Sequence, residues 1–216
     1  KHIDQDFIKN IFFNFNKKIN KNDYLYDKSL NPNILIENGS DYILKNISKK
    51  NVEFNSLDSN LDFLKNKIDN KFLKDNFIKK INSILLNSGF YFVLKENTTL
   101  ETTLINKINS DNLSIFSKNF FKIEKNSKLI LIERYEGSRP SNSNIINYFD
   151  IQKNSEVFHF VIQNNNNNSN LQFTTYTDCQ ENAKFHQFIF NIGNTSGRNH
   201  HYASLLGKNS DRQSMI

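Results

Sequence analysis

The chain has 216 residues, with one cysteine, five histidines and 22 acidic side chains, and their spacing decides what chemistry is open to it. Cys179 stands alone in the phrase CQEN. A thiol becomes a nucleophile or cluster ligand when a neighbouring base, cation or metal stabilises its thiolate. No such partner stands beside Cys179, so it reads as a semi-buried structural thiol. A single cysteine excludes an internal disulfide and suits a reducing compartment. His159 and His186 fall at nearly matching points of successive sequence repeats, and His200 and His201 follow Arg198-Asn199. Stacked repeats could bring His159 and His186 together, and a cluster of imidazoles would suit zinc or iron. No carboxylate or thiol accompanies them at metal-site spacing, so strand histidines with ordinary partners are the better reading. Glu124, Glu133, Glu136, Asp150, Glu156, Asp178 and Glu181 sit mainly beside turns, and no close acidic pair recurs as glycoside cleavage would need. Nor is there a phosphate-binding glycine loop, a dinucleotide fingerprint, a GxSxG elbow or an HExxH helix. The expectation is no catalytic set, no metal set and no cofactor in this chain.

The elements that carry these residues follow a repeat. A phrase reading apolar, any, Lys/Glu, Asn, small, any, apolar returns about every 28 residues. Its copies are VLKENTTL (93–100), IEKNSKL (123–129), IQKNSEV (151–157), CQENAKF (179–185) and LGKNSD (206–211). Repetition at such a period marks a solenoid, in which each unit buries its apolar face on its neighbours. The Asn–small pair is a turn signal, because asparagine tolerates left-handed backbone. Apolar residues alternate after each turn: Leu129/Leu131 against Ile130/Ile132, Val157/Val161 against Phe158/Phe160, and Ile189 against Phe188/Phe190. That is the strand period. Residues 89–216 therefore read as a β-helix, with Asn97, Asn126, Asn154, Asn182 and Asn209 along one edge.

Residues 1–88 have a different pattern and read as a helical and hairpin region. Helical spacing is visible at Phe7, Ile8, Ile11, Phe12 and Phe15, at Leu61–Lys67, and from Phe72 to Leu85. Asn38-Gly39 between Ile34–Ile36 and Tyr42–Leu44 is a hairpin cue. The run Asn164–Asn168 reads as a solvated, expanded turn.

Twenty phenylalanines give the chain material for a core despite a hydrophobic share of 37%. Six glycines and two prolines are few for so many turns, and asparagine takes their place. The net charge of +6 is spread over scattered lysines, without the basic stripe or aromatic platform of a nucleic-acid binder. No apolar run is long enough to span a membrane and the first residues lack a secretory signal, so no nucleic acid and no membrane are expected as partners. The chain stops just after a repeat turn, and the expectation is a fragment of a longer protein.

Several stretches resemble one family. LILIERYEG (129–137), FYFVLKENTTLETTL (90–104) and VFHFVIQ (157–163) are similar to strands of the SufB/SufD family of iron–sulfur cluster assembly proteins. GRNHHYASLLGKNS (197–210) resembles a SufD motif, with Arg198 and Asn199 at matching positions. ILIENG (34–39) and the stretch 1–13 resemble the family's N-terminal part. The chain lacks the Lys-Tyr-Pro-Ser segment of SufB, has Thr102 and Thr103 where a proline is expected, and has His200 where an aspartate is expected. The resemblance implies a right-handed parallel β-helix and a non-catalytic scaffold, most like SufD, in a SufBCD-type complex. Its implied partners are a SufB-like paralogue and a SufC-like ATPase, met mostly through regions beyond Ile216. An iron–sulfur cluster, and with it a flavin, would belong to the assembled complex, in the cytoplasm or a plastid-type stroma. Arg198 and Asn199 are read first as a turn-stabilising pair. The competing reading is a β-helical carbohydrate-active or surface-binding protein, which a signal peptide and an acidic cleft would have favoured.

Overall fold

The computed structural model describes residues 33–56, 77–111, 113–165, 168–193 and 196–215. The helical patterns at Phe7–Phe15 and Leu61–Lys67 lie outside them. The third helical pattern is met from Phe77 onward as α1 (Phe77–Ile84). Among the described residues thirteen strands accompany it: β1 (Ile34–Glu37), β2 (Asp41–Leu44), β3 (Val52–Ser56), β4 (Ser88–Leu94), β5 (Thr99–Ile108), β6 (Leu113–Ile123) and β7 (Lys128–Gly137), followed by β8 (Ser141–Ile151), β9 (Glu156–Asn164), β10 (Asn170–Cys179), β11 (Lys184–Gly193), β12 (Ser196–Leu205) and β13 (Asp211–Met215).

From β4 onward the strands alternate between two sheets. One runs β13-β11-β9-β7-β5-β1-β2 and the other β12-β10-β8-β6-β4-β3. The neighbours are parallel except at the β1–β2 hairpin and the β3–β4 pair. Each coil thus gives one strand to each sheet, and the fold is a parallel β-solenoid. The register repeats the sequence period: Lys128 faces Glu156, and Glu156 faces Lys184. The hairpin turns at Asn38 and Gly39, both at positive φ, and β1 extends the first sheet beside β5.

The asparagine phrase makes one corner of every coil. Asn97, Asn126, Asn154, Asn182 and Asn209 all have φ between 56° and 60°. From Asn126 onward each side-chain amide donates to the side-chain carbonyl of the asparagine one coil earlier, at 3.1, 3.0, 2.9 and 3.1 Å. The five line up along one edge, as the repeat requires.

Inward residues alternate with outward ones on every strand. They form two apolar clusters. One holds Phe90, Phe92, Phe121, Phe149, Leu129, Leu131, Val157 and Phe185, with Phe121 and Phe149 stacked at 4.5 Å. The other holds Ile108, Ile115, Tyr135, Ile145, Val161, Leu171, Phe173 and Ile189. Within the asparagine run, read as a solvated turn, Asn168 is an exposed turn residue, whereas Asn165 is 3% exposed. It faces Gly137, where a side chain on that glycine would come within 3.5 Å of the Asn165 Oδ1.

Candidate functional site

A polar seam divides the two apolar clusters. On β7, Glu133 lies between Leu131 of one cluster and Tyr135 of the other. On β8, Asn147 lies between Phe149 and Ile145, and on β9, His159 lies between Val157 and Val161. The period of two that turns the apolar residues inward turns these inward as well. Glu133, Asn147 and His159 are each 0% exposed.

Such groups persist in a core only when their hydrogen bonds are made. The Glu133 carboxylate accepts from the Tyr135 hydroxyl at 2.6 Å, from the Asn147 amide at 2.7 Å and from His159 Nε2 at 2.8 Å. A longer bond of 3.4 Å comes from Asn106. Behind Asn147 the donors run in one direction. Ser117 donates to Asn119 at 2.8 Å, and Asn119 donates to Asn147 at 2.8 Å. On the far side, the Gln187 amide donates to His159 Nδ1 at 2.9 Å and to Thr175 at 3.0 Å. With Nδ1 accepting, the ring carries its hydrogen on Nε2 and gives it to Glu133. Burial and the Glu133 charge push the Tyr135 hydroxyl well above the usual tyrosine range, so it stays a donor.

The sequence candidates fall at scattered places. His186 is not beside His159: the register sets His159 opposite Gln187 and His186 opposite Phe158. The two histidines are one residue out of phase, and a one-residue offset puts side chains on opposite faces of a sheet. His186 faces out, stacked on Phe158 at 4.8 Å and 3.8 Å from Glu156. Cys179 is fully buried, between Ile151 and Leu205 in the ladder. Burial, then the Asp178 charge, raise its thiol to about 11. Arg198 and Asn199 stand within β12, not in a turn: Arg198 is exposed, and Asn199 accepts from Gln163 at 3.0 Å. His201, on the inner side of β12, is lowered to about 3 by burial, then by Arg212 and His159.

Most of the acids do lie near turns and are engaged there or along the strands. Glu156 pairs with Lys128 at 3.2 Å, Glu181 with Lys153 at 2.8 Å, and Asp178 accepts from Tyr148 at 2.5 Å. Glu133 departs from that reading, since it sits mid-strand at the centre of the seam. The signal was its phase: Leu129, Leu131, Glu133 and Tyr135 all fall on one side of β7. Among the described residues no three His, Cys, Asp or Glu side chains converge as a metal site needs. The single thiol is sealed in the core and both His159 nitrogens are engaged, so these residues do not fit a cluster, and no step is assigned through one.

The sequence pattern of the SUF system FeS cluster assembly, SufBD core domain, matches residues 106–215. That range is half of the 216-residue chain and holds the solenoid from the end of β5 to β13. The chain belongs to the SufBD core family. No curated protein matches the sequence. Every seam residue from Asn106 to Gln187 lies inside the SufBD core match, including Glu133 and Tyr135 of LILIERYEG. Among the described residues no helix is long and apolar enough to cross a membrane.

Proposed function

We propose that this SufBD-core protein is a non-catalytic scaffold subunit, most like SufD, of a SufBCD-type iron–sulfur cluster assembly complex. The observation that carries the reading is the SufBD core match over residues 106–215. The solenoid supports it physically. Its interior is filled by two apolar clusters and a hydrogen-bonded seam, and a filled solenoid is a rigid rod with long outer faces, suited to holding partners in place. The choice of SufD over SufB rests on GRNHHYASLLGKNS and on the lack of a Lys-Tyr-Pro-Ser segment. The partners are a SufB-like paralogue and a SufC-like ATPase. The cluster is cargo of that complex, in a cytoplasmic or plastid-type compartment.

The test is anaerobic affinity purification of the tagged protein from its own cells, with the recovered proteins identified and iron and acid-labile sulfide measured. Recovery of a SufB-like protein, a SufC-like ATPase and both inorganic elements is expected. Recovery of polysaccharide-active or surface proteins instead would favour the competing class.

A further inference from the structure

We propose that Ser143 holds a buried water molecule in a cavity beside the polar seam. Two serines make the place for it. In the ladder Ser143 stands between Ile115 of β6 and Leu171 of β10, and Ser117 stands beside Ile145 of β8. These three apolar neighbours belong to the second core cluster, so both serines occupy inward positions. Ser143 is 6% exposed and Ser117 is 4% exposed. A serine in such a column is too small to fill it, and it brings a hydroxyl into the core.

The space left over is a cavity walled by the two serines, by Asn106 and Tyr135 of the seam, and by Gly39 and Ser88. The centre of a water molecule can occupy about 10 Å³ of it, the lower limit for holding one molecule. That is too little for an organic ligand. The polar groups on the walls favour water over an empty space. Ser143 Oγ finds no partner among the described residues, and a buried hydroxyl left so costs free energy. Ser117 donates to Asn119 at 2.8 Å and Tyr135 donates to Glu133 at 2.6 Å, so each of these oxygens keeps its capacity to accept. The Asn106 amide reaches Glu133 only at 3.4 Å. A buried water needs two to four polar partners, and these walls carry that many. The water joins the Glu133 network, because Tyr135 and Asn106 donate to that carboxylate and Ser117 begins the donor chain through Asn119 and Asn147.

A crystal structure of the full chain, at a resolution that shows ordered water, tests this. A water is expected at hydrogen-bond distance from Ser143 Oγ. In Ser143→Val an apolar side chain takes up the space and the hydroxyl is gone, so the water should be lost while the strands stay in place. A cavity without water in the unaltered chain, or a water that remains in the variant, would overturn the proposal. Oxygen-17 relaxation dispersion reads the same site in solution by counting long-lived buried waters. S143V should hold one fewer than the unaltered chain, and equal counts would overturn the proposal. Should S143V not fold, S143A carries the same two outcomes.

Discussion

Glu133 and His159 meet at 2.8 Å inside the solenoid, and solvent reaches neither side chain. Removing the carboxylate leaves three buried donors, from Tyr135, Asn147 and His159, without their acceptor, at about 1–3 kcal/mol each and about 3–9 kcal/mol together. Glu133→Ala should therefore lose stability in that range by urea unfolding. Replacing the whole cluster with apolar residues should cost much less. Equal losses from the two variants would mean that the pair does not act as a unit.

The asparagine corner separates backbone from side-chain effects. Asn154 has φ 60°, donates to Asn126 at 3.0 Å and accepts from Asn182 at 2.9 Å. Alanine there adopts left-handed backbone at a cost of about 1–2 kcal/mol and also loses both bonds. Glycine loses the bonds alone. Denaturant unfolding should rank Asn154→Ala below Asn154→Gly, and the reverse order would refute the role given to φ.

Cys179 should be a silent thiol. Its burial and a value of about 11 keep it protonated at neutral pH. Labelling with a soluble thiol reagent should be slow in the native protein and fast in urea. In the unfolded chain a thiol ionises near 8.5. Between that value and 11 the folded state holds the extra proton, so stability falls as pH rises through this window. Cys179→Ala should flatten that part of the curve.

His201 gives the opposite slope. An unfolded imidazole takes its proton near 6.5, whereas the folded one is held to about 3. Between these values the unfolded state binds more protons, so stability falls as pH falls. The loss attributable to His201 is about 2 kcal/mol at pH 5. Thermal melts at pH 7 and pH 5 should show it, and His201→Gln should lower the sensitivity. An unchanged pH slope in the variant would contradict this assignment.

Gly207 is held by a close approach of backbone. A Cβ there would lie 2.4 Å from the Glu181 Cα and closer still to its amide nitrogen. Gly207→Ala should therefore destabilise the last coil. The readout is faster amide exchange in β12 and β13, with β6–β8 unchanged.

The sequence carries the fold and the corner plainly, because the asparagine phrase and the strand alternation each have one dominant physical cause. The hairpin was equally visible at Asn38-Gly39, where both residues take positive φ. The seam was less legible. Glu133 lies in phase with Leu129 and Leu131, but its acidity suggested a turn, and the phase carried the information. His159 and His186 looked equivalent because a shift of one residue is small along the chain, yet in a strand it reverses the face. Asn165 was hidden in a run of identical residues whose composition suggested solvent. Arg198 and Asn199 looked like turn residues from their types, and pairing with β10 made them strand.

The most direct test of the scaffold reading is native mass spectrometry of the protein co-expressed with SufB-like and SufC-like proteins of the same cells. The account predicts one assembly containing all three. Emergence of this chain alone, with the other two still bound to each other, would contradict it.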